Sequence, residues 1–340
     1  MKYVGIDLHK KSITACVVDG DRAKLTTRQF ACSDVDRILD FFRGLGPFQA
    51  VVEATASYEW LLAQIEPLAQ RVVLAHPGKL RVIAESTRKS DKVDARVLAE
   101  FLALDMIPQA YRPTPRQREH RALVRHRQFL QKGRTQLRNK VRRILSDYNA
   151  DRRDLFTPKG LECLATVPLN PSDRFIVGQL LEQLSDRETQ LAVLGKQLRA
   201  FAAAGPEAEQ GQRRVLRGVT GVGEVTTEVV LAELGDVTRF RATKQAVAYA
   251  GLAPGRRESA GKARDLGITK QGSGLLRWVL VEASWQLVRR SRYWEDVYRR
   301  LKQRRGSRRA IVAVARRLLG VLVALLRNGQ EYREPAVRPL

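Results

Sequence analysis

The stretch Tyr3-Val-Gly-Ile-Asp-Leu8 decides the fold of the N-terminal part of the chain. Its alternation of side chains is typical of a β-strand and places Tyr3, Gly5 and Asp7 on one face. We therefore expect the carboxylate of Asp7 to project from a sheet.

The sequence after this strand predicts more strands and helices. Residues 12–18 and 25–31 are predicted to be strands joined by turns such as Asp19-Gly20, and a helix is expected near 34–43. Residues 50–53 and 71–75 supply two further strands, separated by a helix around 60–68. Three consecutive strands followed by alternating α and β segments resemble the ribonuclease-H-like sheet.

Three more acidic residues complete a set of four carboxylates. Glu53 follows the short apolar run Ala50-Val-Val52, which is typical of a buried central strand. Asp91 and Asp94 lie three residues apart in a predicted helix, so both occupy one helix face. Each acid alone would be an ordinary cap or solvated charge. Only the combination of two strand acids and a helical D-x-x-D favours a shared site.

Four carboxylates around one point would repel one another unless a hard cation held them, and Mg²⁺ or Mn²⁺ prefers such oxygen ligands. Two such ions about 4 Å apart can activate an attacking oxygen and stabilise a leaving one in phosphodiester chemistry. Asp7, Glu53, Asp91 and Asp94 are therefore predicted to form a metal site for cutting nucleic acid.

Composition indicates the partner. The 340 residues include 61 Lys and Arg against 36 Asp and Glu, a formal net charge of +25. So large an excess attracts polyanions, of which nucleic acid is the commonest for such a chain. A membrane surface is the rival, but the basic residues are spread through long segments and lie beside no hydrophobic anchor. With no signal-peptide pattern, we expect a cytoplasmic, nucleoid-associated protein without a membrane partner. The three scattered cysteines argue against a disulfide framework or a zinc site.

The prolines of Arg112-Pro-Thr-Pro115 predict the end of a first domain, residues 1–112, and the start of a helical region, 113–205. A long helix over 116–148 carries many cations and few acids, which favours a nucleic-acid-facing role over plain solvation. Its predicted nucleic-acid-binding residues are Arg121, Arg125, Arg134, Arg138 and Arg142. On the same helix, His120 and His126 are expected to be solvated or to face phosphates.

A seven-residue repeat of Val177, Leu184, Leu191 and Leu198 predicts a second long helix and an antiparallel coiled coil. The repeat fits a coil between subunits and a helix hairpin inside one subunit equally well.

Ala202-Ala-Ala-Gly-Pro206 opens a mostly α C-terminal domain, residues 206–330, followed by a tail, 331–340. Residues 215–235 resemble a helix-hairpin-helix in which Gly221 and Gly223 make the turn and free N–H groups bind a phosphate. The same glycines could serve packing alone. The apolar segment 318–326 predicts a buried helix, because it is far too short to span a membrane.

Residues 255–262 predict an arginine-rich loop that contains Ser259. A serine hydroxyl is a weak nucleophile that needs a base or metal to remove its proton and cations to steady a phosphate. Arg256, Arg257 and Lys262 supply cations and are predicted to bind nucleic acid. A hydrogen-bonding role for Ser259 is the alternative.

Five motifs in order along the chain resemble the DEDD transposases of bacterial insertion sequences, a family that includes the pilin-gene-inverting recombinases. These are Gly5-Ile-Asp-Leu-His-Lys10, Val51-Val-Glu-Ala-Thr-Ala-Ser-Tyr58, Lys89-Ser-Asp-Lys-Val-Asp-Ala-Arg-Val-Leu-Ala99, Tyr249-Ala-Gly-Leu-Ala-Pro254 and Ser259-Ala-Gly-Lys262. The resemblance implies a RuvC-like N-terminal domain, a coiled-coil middle and a C-terminal transposase domain.

The resemblance also implies a mechanism and partners. The four acids would bind Mg²⁺, and Ser259 would attack DNA to form a covalent phosphoserine link, with Ser273 as the alternative nucleophile. A structured noncoding bridge RNA would pair with target and donor DNA. Because two duplexes recombine, a symmetric homo-oligomer, a dimer or tetramer, is expected. The alternatives are a metal-dependent RuvC-like junction nuclease that hydrolyses DNA with water, and a basic RNA-binding protein whose acids are structural.

Overall fold

The computed structural model of the protein describes residues 1–54, 58–83, 91–259 and 262–335. For residues 81–83, 91–93, 256–259 and 262–265 it describes the backbone alone. The chain divides into two compact units, Met1–Arg112 and Pro113–Leu340.

The first unit is a mixed α/β structure built on one five-stranded sheet with strand order β3-β2-β1-β4-β5. Strands β1, β2 and β3 are antiparallel, and β1, β4 and β5 are parallel. The five predicted strands are confirmed, and the arrangement is consistent with a RuvC-like domain. The elements are β1 (Lys2–Leu8), β2 (Ser12–Val18), β3 (Lys24–Ala31), α1 (Val35–Arg43), β4 (Phe48–Glu53), α2 (Glu59–Ile65), β5 (Arg71–Ala75), α3 (Pro77–Ile83) and α4 (Asp91–Ala103).

Helices cover both faces of this sheet. Val4 and Ile6 of β1 share a buried cluster with residues of α1 and α2. On the opposite face, Cys16 and Val18 of β2 pack with Ala95 and Ala99 of α4. A strand that is buried on both faces has apolar residues in succession, which explains the apolar runs in β2 and β4.

Gly5 sets how closely α4 approaches the sheet. A Cβ added at Gly5 would lie 2.0 Å from the carbonyl oxygen of Ala95 and 2.5 Å from the amide nitrogen of Ala99. No side chain fits in that space, so a glycine inside a strand marks a close backbone approach.

The described residues of the second unit form helices and one two-stranded ribbon. Its elements are α5 (Pro115–Asp147), α6 (Pro158–Thr166), α7 (Pro171–Ala203), α8 (Glu207–Arg217), α9 (Glu224–Leu234), a 3₁₀ turn (Val237–Arg239), α10 (Thr243–Tyr249), β6 (Pro254–Ser259), β7 (Lys262–Ile268), α11 (Gly274–Arg290), α12 (Arg292–Arg305) and α13 (Ser307–Asn328). One hydrophobic core joins residues of α5 and α7 to residues of α8 through α13.

Helices α5 and α7 form an antiparallel hairpin. Both begin with a side-chain cap and a proline in the first turn, a common helix start. Contacts between Tyr148 and Asp173 near the connection, and between His120 and Phe201 at the far end, fix the antiparallel direction. Of the four residues in the predicted repeat, Val177, Leu184 and Leu198 are buried and Leu191 is partly buried. The hairpin inside one subunit therefore accounts for the repeat without a second chain.

Helix α9 is the centre of the second unit, because every residue from Thr226 to Leu234 is buried. The buried helix predicted at 318–326 is confirmed as part of α13. Within the described ranges, no helix combines the length and apolar character needed to cross a membrane.

The loop predicted at 255–262 is wrong for residues 255–259 and 262, because these lie in the paired strands β6 and β7. Its glycines and arginines suggested a loop. A partner strand satisfies backbone N–H and C=O groups regardless of side-chain polarity, so composition did not reveal the pairing.

Candidate catalytic and nucleic-acid-binding sites

Asp7 and Glu53 end adjacent strands of the first unit. The register between the parallel strands β1 and β4 pairs Ile6 with Val52, so Asp7 and Glu53 follow as the next pair. Residues directly opposite in a sheet project from the same face. The two predicted site residues on strands are therefore neighbours on the face that α4 covers.

Helix α4 brings its N-terminal turn to the same end of the sheet. Asp105, just after α4, lies 3.2 Å from Arg71 at the start of β5, and Arg71 is level with Tyr3 through the strand pairings, so the helix runs opposite to β1. Its first turn consequently lies at the Asp7 end of that strand. Asp91 precedes Ala95 by one helical turn, which places it on the face that packs on the sheet.

The structure describes the side chain of only one of the two acids on α4. The side chain of Asp91 lies outside the described residues, and Asp94 is exposed. Among the described side chains, no three of His, Cys, Asp or Glu form a group with metal-ligand geometry. The sharing of one metal by all four acids therefore stays a prediction.

The immediate surroundings of Asp7 are polar. His9 Nε2 lies 3.1 Å from Asp7 Oδ2. On the other side, the antiparallel register pairs Asp7 with Thr14 of β2, which is only 1% exposed. Within the part of the chain that the structure describes, the Thr14 hydroxyl has no hydrogen-bond partner. Buried hydroxyls usually have one, so this oxygen is available to an additional group beside Asp7.

The row Thr14, Asp7 and Glu53 fits a hard cation. It offers oxygen atoms alone, from neighbouring strands, at the end of the sheet where α4 begins. Oxygen ligands are those that Mg²⁺ and Mn²⁺ select. Sequence reasoning missed Thr14, although its even position on β2, shared with the α4-facing Cys16 and Val18, was a usable signal.

Ser259 is the last residue of β6 and pairs with Lys262 across the ribbon. Its side chain lies outside the described residues, as do those of Arg256, Arg257 and Lys262. The alternative nucleophile, Ser273, caps α11 by accepting a hydrogen bond from Leu276 N at 3.2 Å. Its hydroxyl therefore already has a structural role.

Four of the five arginines predicted to bind nucleic acid contact other parts of the second unit. Arg121 donates to the carbonyl of Ala232 at 2.7 Å, and Arg125 forms two hydrogen bonds with the Glu233 carboxylate. Further along α5, Arg138 pairs with Glu188 and Arg142 with Asp151. Arg134 makes no hydrogen bond or ion pair with another residue of the described ranges. Their nucleic-acid contacts stay a prediction.

A buried charge cluster lies between α5, α8 and α9. Glu228 is 4% exposed, and its carboxylate accepts hydrogen bonds from Arg213 at 3.0 Å and 3.1 Å. His120 Nε2 lies 3.0 Å from the same carboxylate. Burial favours protonation of Glu228, but the hydrogen bonds and charges of His120 and Arg213 outweigh it and lower its pKa.

The solvated or phosphate-facing position expected for His120 is wrong, because the ring is buried against Glu228 and Phe201. The partner carboxylate lies more than a hundred residues away in sequence, so the local pattern of α5 could not indicate it. His126 is exposed and stacks on Phe129, as a solvated side chain can.

The turn between α8 and α9 contains Gly221 and Gly223. Gly221 has φ +82°, and an added Cβ would lie 2.8 Å from Leu287 N of α11. It is thus required by both the turn and the packing. Gly223 precedes α9 without a side-chain cap, and no atom of the described residues lies within 4 Å of an added Cβ. Phosphate binding at this turn stays a prediction.

Comparison with known families agrees with the motifs. A transposase model of the DEDD type matches residues 4–150, which contain Asp7, Glu53, Asp91 and Asp94. A second model, described as the transposase IS116/IS110/IS902 family, matches residues 213–299, which contain Ser259.

Individual relatives align over nearly the full chain. The transposase for insertion sequence element IS1111A of Coxiella burnetii is 27% identical, covering 98% of this chain and 92% of that protein. A probable family 20 transposase of Pseudomonas aeruginosa is 28% identical, covering 98% of this chain and 99% of that protein. The pilin gene-inverting protein of Moraxella bovis is 23% identical over 97% of both chains.

Proposed function

Because this chain belongs to the IS110/IS116/IS902 family of transposases and acts on DNA, we propose that it cuts and rejoins DNA for an insertion sequence with a serine nucleophile. The observation that carries the proposal is the alignment of Asp7 with Glu53 on adjacent strands, at the end of the sheet where α4 begins. A set of acids collected at one sheet end is what metal-assisted phosphodiester chemistry requires.

The acids would hold the metal ion. Asp7 and Glu53 would bind it from the strands, and Asp91 and Asp94 from the first turn of α4. When bound, Mg²⁺ or Mn²⁺ would neutralise charge on the phosphate oxygens. The row of Thr14, Asp7 and Glu53 supports this choice of cation, because its oxygen atoms are the ligands that Mg²⁺ and Mn²⁺ prefer.

Ser259 would perform the covalent step. Its Oγ forms a bond to phosphorus while the bond from phosphorus to the leaving sugar oxygen breaks. The hydroxyl proton is transferred, and the sugar oxygen leaves as a hydroxyl. Attack of a DNA hydroxyl on the phosphoserine reverses these bond changes and rejoins a strand. The phosphodiester energy is conserved in the phosphoserine, so the reaction needs no external energy source.

The partners form part of the same proposal. The resemblance to insertion-sequence transposases implies a structured noncoding bridge RNA that pairs with target and donor DNA. A net charge of +25 supports binding of more nucleic acid than one duplex. Exchange between two duplexes would use a dimer or tetramer of this chain.

Suicide DNA substrates test the covalent step. We expect wild-type protein in Mg²⁺ to become covalently attached to DNA, and Ser259→Ala to lose both the adduct and recombination while still binding nucleic acid. Ser273→Ala is the matched control: it should keep the adduct and lose about 1 kcal/mol of stability, because Ser273 caps α11.

The outcomes separate the alternatives. An adduct that survives in Ser259→Ala but not in Ser273→Ala would move the nucleophile to Ser273. Metal-dependent cleavage without any adduct in wild type would establish a hydrolytic junction nuclease. Binding without cleavage in any metal would favour an RNA-binding protein with structural acids. Sequencing RNA that co-purifies with the protein tests the guide.

A further inference from the structure

A cavity of about 690 Å³ lies among α5, α7, α9 and α11, inside the second unit. Its apolar lining includes the buried side chains of Val124, Leu198, Val229 and Leu275. This volume falls within the roughly 300–1,000 Å³ of sites that hold small ligands. The proposed DNA cleavage assigns no role to it.

Trp278 of α11 stands at the edge of this cavity and is 44% exposed. Trp278 also lines a second recess of about 530 Å³ beside the first. Among the described residues, its indole N–H donates no hydrogen bond, whereas Trp294 donates to the hydroxyl of Tyr332. Trp285, on the same helix, is half-buried and packs edge-on against Tyr298. Trp278 therefore presents apolar surface that nothing else in the described chain covers.

The polar part of the lining is rich in cations. Arg127, Lys132, Lys196 and Arg199 surround the cavity, and none forms an ion pair with a carboxylate of the described residues. Burial and the neighbouring Arg134 lower the pKa of Arg127, and the attraction of Glu224 offsets this only in part.

Two acidic residues also line the cavity. Glu228 is bound by Arg213 and His120, and Glu224 is exposed at the start of α9. The net charge around the cavity thus remains positive. An anionic ligand complements it.

We propose that this cavity binds one unpaired nucleotide of a single-stranded nucleic acid, with its base stacked on Trp278 and its flanking phosphates near Arg127 and Lys132. Stacking on an exposed aromatic ring inside a basic groove is the general mode of single-strand binding. The side-chain amides of Gln128 and Gln131, which also line the cavity, can donate to and accept from base edges.

The inference rests on the proposed function in one respect, since strand exchange creates unpaired bases. A base inside an intact duplex is already stacked on both faces, so it has no face left for the indole. Single strands should therefore bind this cavity in preference to duplex.

Binding to defined oligonucleotides tests the inference with the full chain in buffer containing EDTA, where metal-dependent cleavage cannot occur. The probes are a 12-nucleotide oligothymidylate, a 12-nucleotide oligouridylate and a blunt duplex. We expect Trp278→Ala to weaken binding of a single strand about ten-fold and to leave duplex binding within two-fold. Trp278→Phe, which keeps an aromatic ring, should stay within about three-fold of wild type.

Two further variants serve as controls. Phe175→Ala removes an aromatic residue that is more exposed than Trp278 but does not line the cavity, and it should bind as wild type. Single strands should quench the tryptophan fluorescence of Trp285→Phe but quench that of Trp278→Phe much less. This fluorescence comparison remains informative if Trp278→Ala is poorly folded.

The binding results either identify the source of the nucleotide or overturn the inference. If Trp278→Ala loses binding of oligothymidylate preferentially, the nucleotide comes from DNA. If it loses binding of oligouridylate preferentially, the nucleotide comes from RNA. Equal affinity of wild type and Trp278→Ala, or an equal loss for duplex and single strand, would overturn the inference. Because EDTA excludes the cleavage step, such a result would leave the proposed serine chemistry untouched.

Discussion

The two units differ in how they accommodate acidic side chains. In the second unit, the buried Glu228 is bound by Arg213 and His120, and the buried Glu233 by Arg125. In the first unit, two acids lie on adjacent strands: Asp7 contacts His9, and Glu53 forms no ion pair with a described residue. Removing the acid from a buried pair with arginine costs stability, whereas adjacent acids without an arginine repel each other and resist ionising.

The strongest test of this difference is Asp7→Asn. Loss of one metal ligand should reduce strand cleavage more than about 1,000-fold, because metal charge stabilises the transition state by several kcal/mol. Nucleic-acid affinity should change little, since the predicted phosphate contacts lie at other residues.

Cleavage of the same DNA substrate and binding by gel shift measure the two effects. Asp36→Asn, which alters an exposed acid on α1, is the control and should behave as wild type. Wild-type cleavage by Asp7→Asn in Mg²⁺ would remove Asp7 from the site.

For the acids bound by arginine, the expected effect is on stability. Glu228→Gln should lower the free energy of unfolding by about 3 kcal/mol, because it leaves the buried Arg213 without its main counter-charge. Urea denaturation measures this value. Glu188→Gln removes the exposed partner of Arg138 and should lower stability by less than about 1 kcal/mol. Equal effects of the two variants would contradict the structural role given to the buried cluster.

The same cluster predicts an acid-sensitive stability. Since hydrogen bonds from His120 and Arg213 outweigh burial and lower the pKa of Glu228, its stabilisation is complete above the usual glutamate value of 4.5. It is lost as pH falls from there through the lowered pKa. One group contributes a slope of at most about 1.4 kcal/mol per pH unit, and Glu228→Gln should remove that slope. Urea midpoints between pH 6 and pH 3 provide the comparison, and parallel curves for both proteins would refute it.

The comparison extends to the arginines of α5. Arg138 is paired with Glu188, whereas Arg134 has no ion pair with a described residue. Arg134→Gln should reduce the log–log salt dependence of binding by about 0.9 for duplex DNA or 0.7 for a single strand. Arg138→Gln should change it less. Affinities measured at several salt concentrations test this, and a larger change in Arg138→Gln would reverse the assignment.

Local sequence patterns predicted the elements that depend on nearby residues. Alternation in Tyr3 to Leu8 indicated β1, and the stretch that carries Asp91 and Asp94 was predicted to be a helix, both of which the structure contains. The partners Glu228, Ala232 and Glu233 were not predictable for the side chains of α5, because all three lie in α9, about a hundred residues away. Periodicity shows which face of a helix is polar, but it does not show which element packs there.

The site was predictable to a similar extent. The types and order of the acids indicated metal chemistry, and the register of β1 with β4 shows that Asp7 and Glu53 are neighbours. The Thr14 hydroxyl, which has no hydrogen-bond partner among the described residues, and the exposed indole of Trp278 are evident only in the folded chain. Each depends on the absence of neighbouring groups in the folded chain, which the sequence alone does not reveal.

Gly5 limits which segments can be exchanged between family members when chimeric proteins are designed. The backbone of α4 contacts β1 where that residue has no side chain. A chimera that takes β1 from one parent and α4 from another must therefore inherit a glycine at this point. Otherwise a single methyl group would act as a spacer and displace the helix that carries Asp91 and Asp94. In designed hybrids, β1 and α4 should be exchanged as one cassette, although more than eighty residues separate their first residues in the chain.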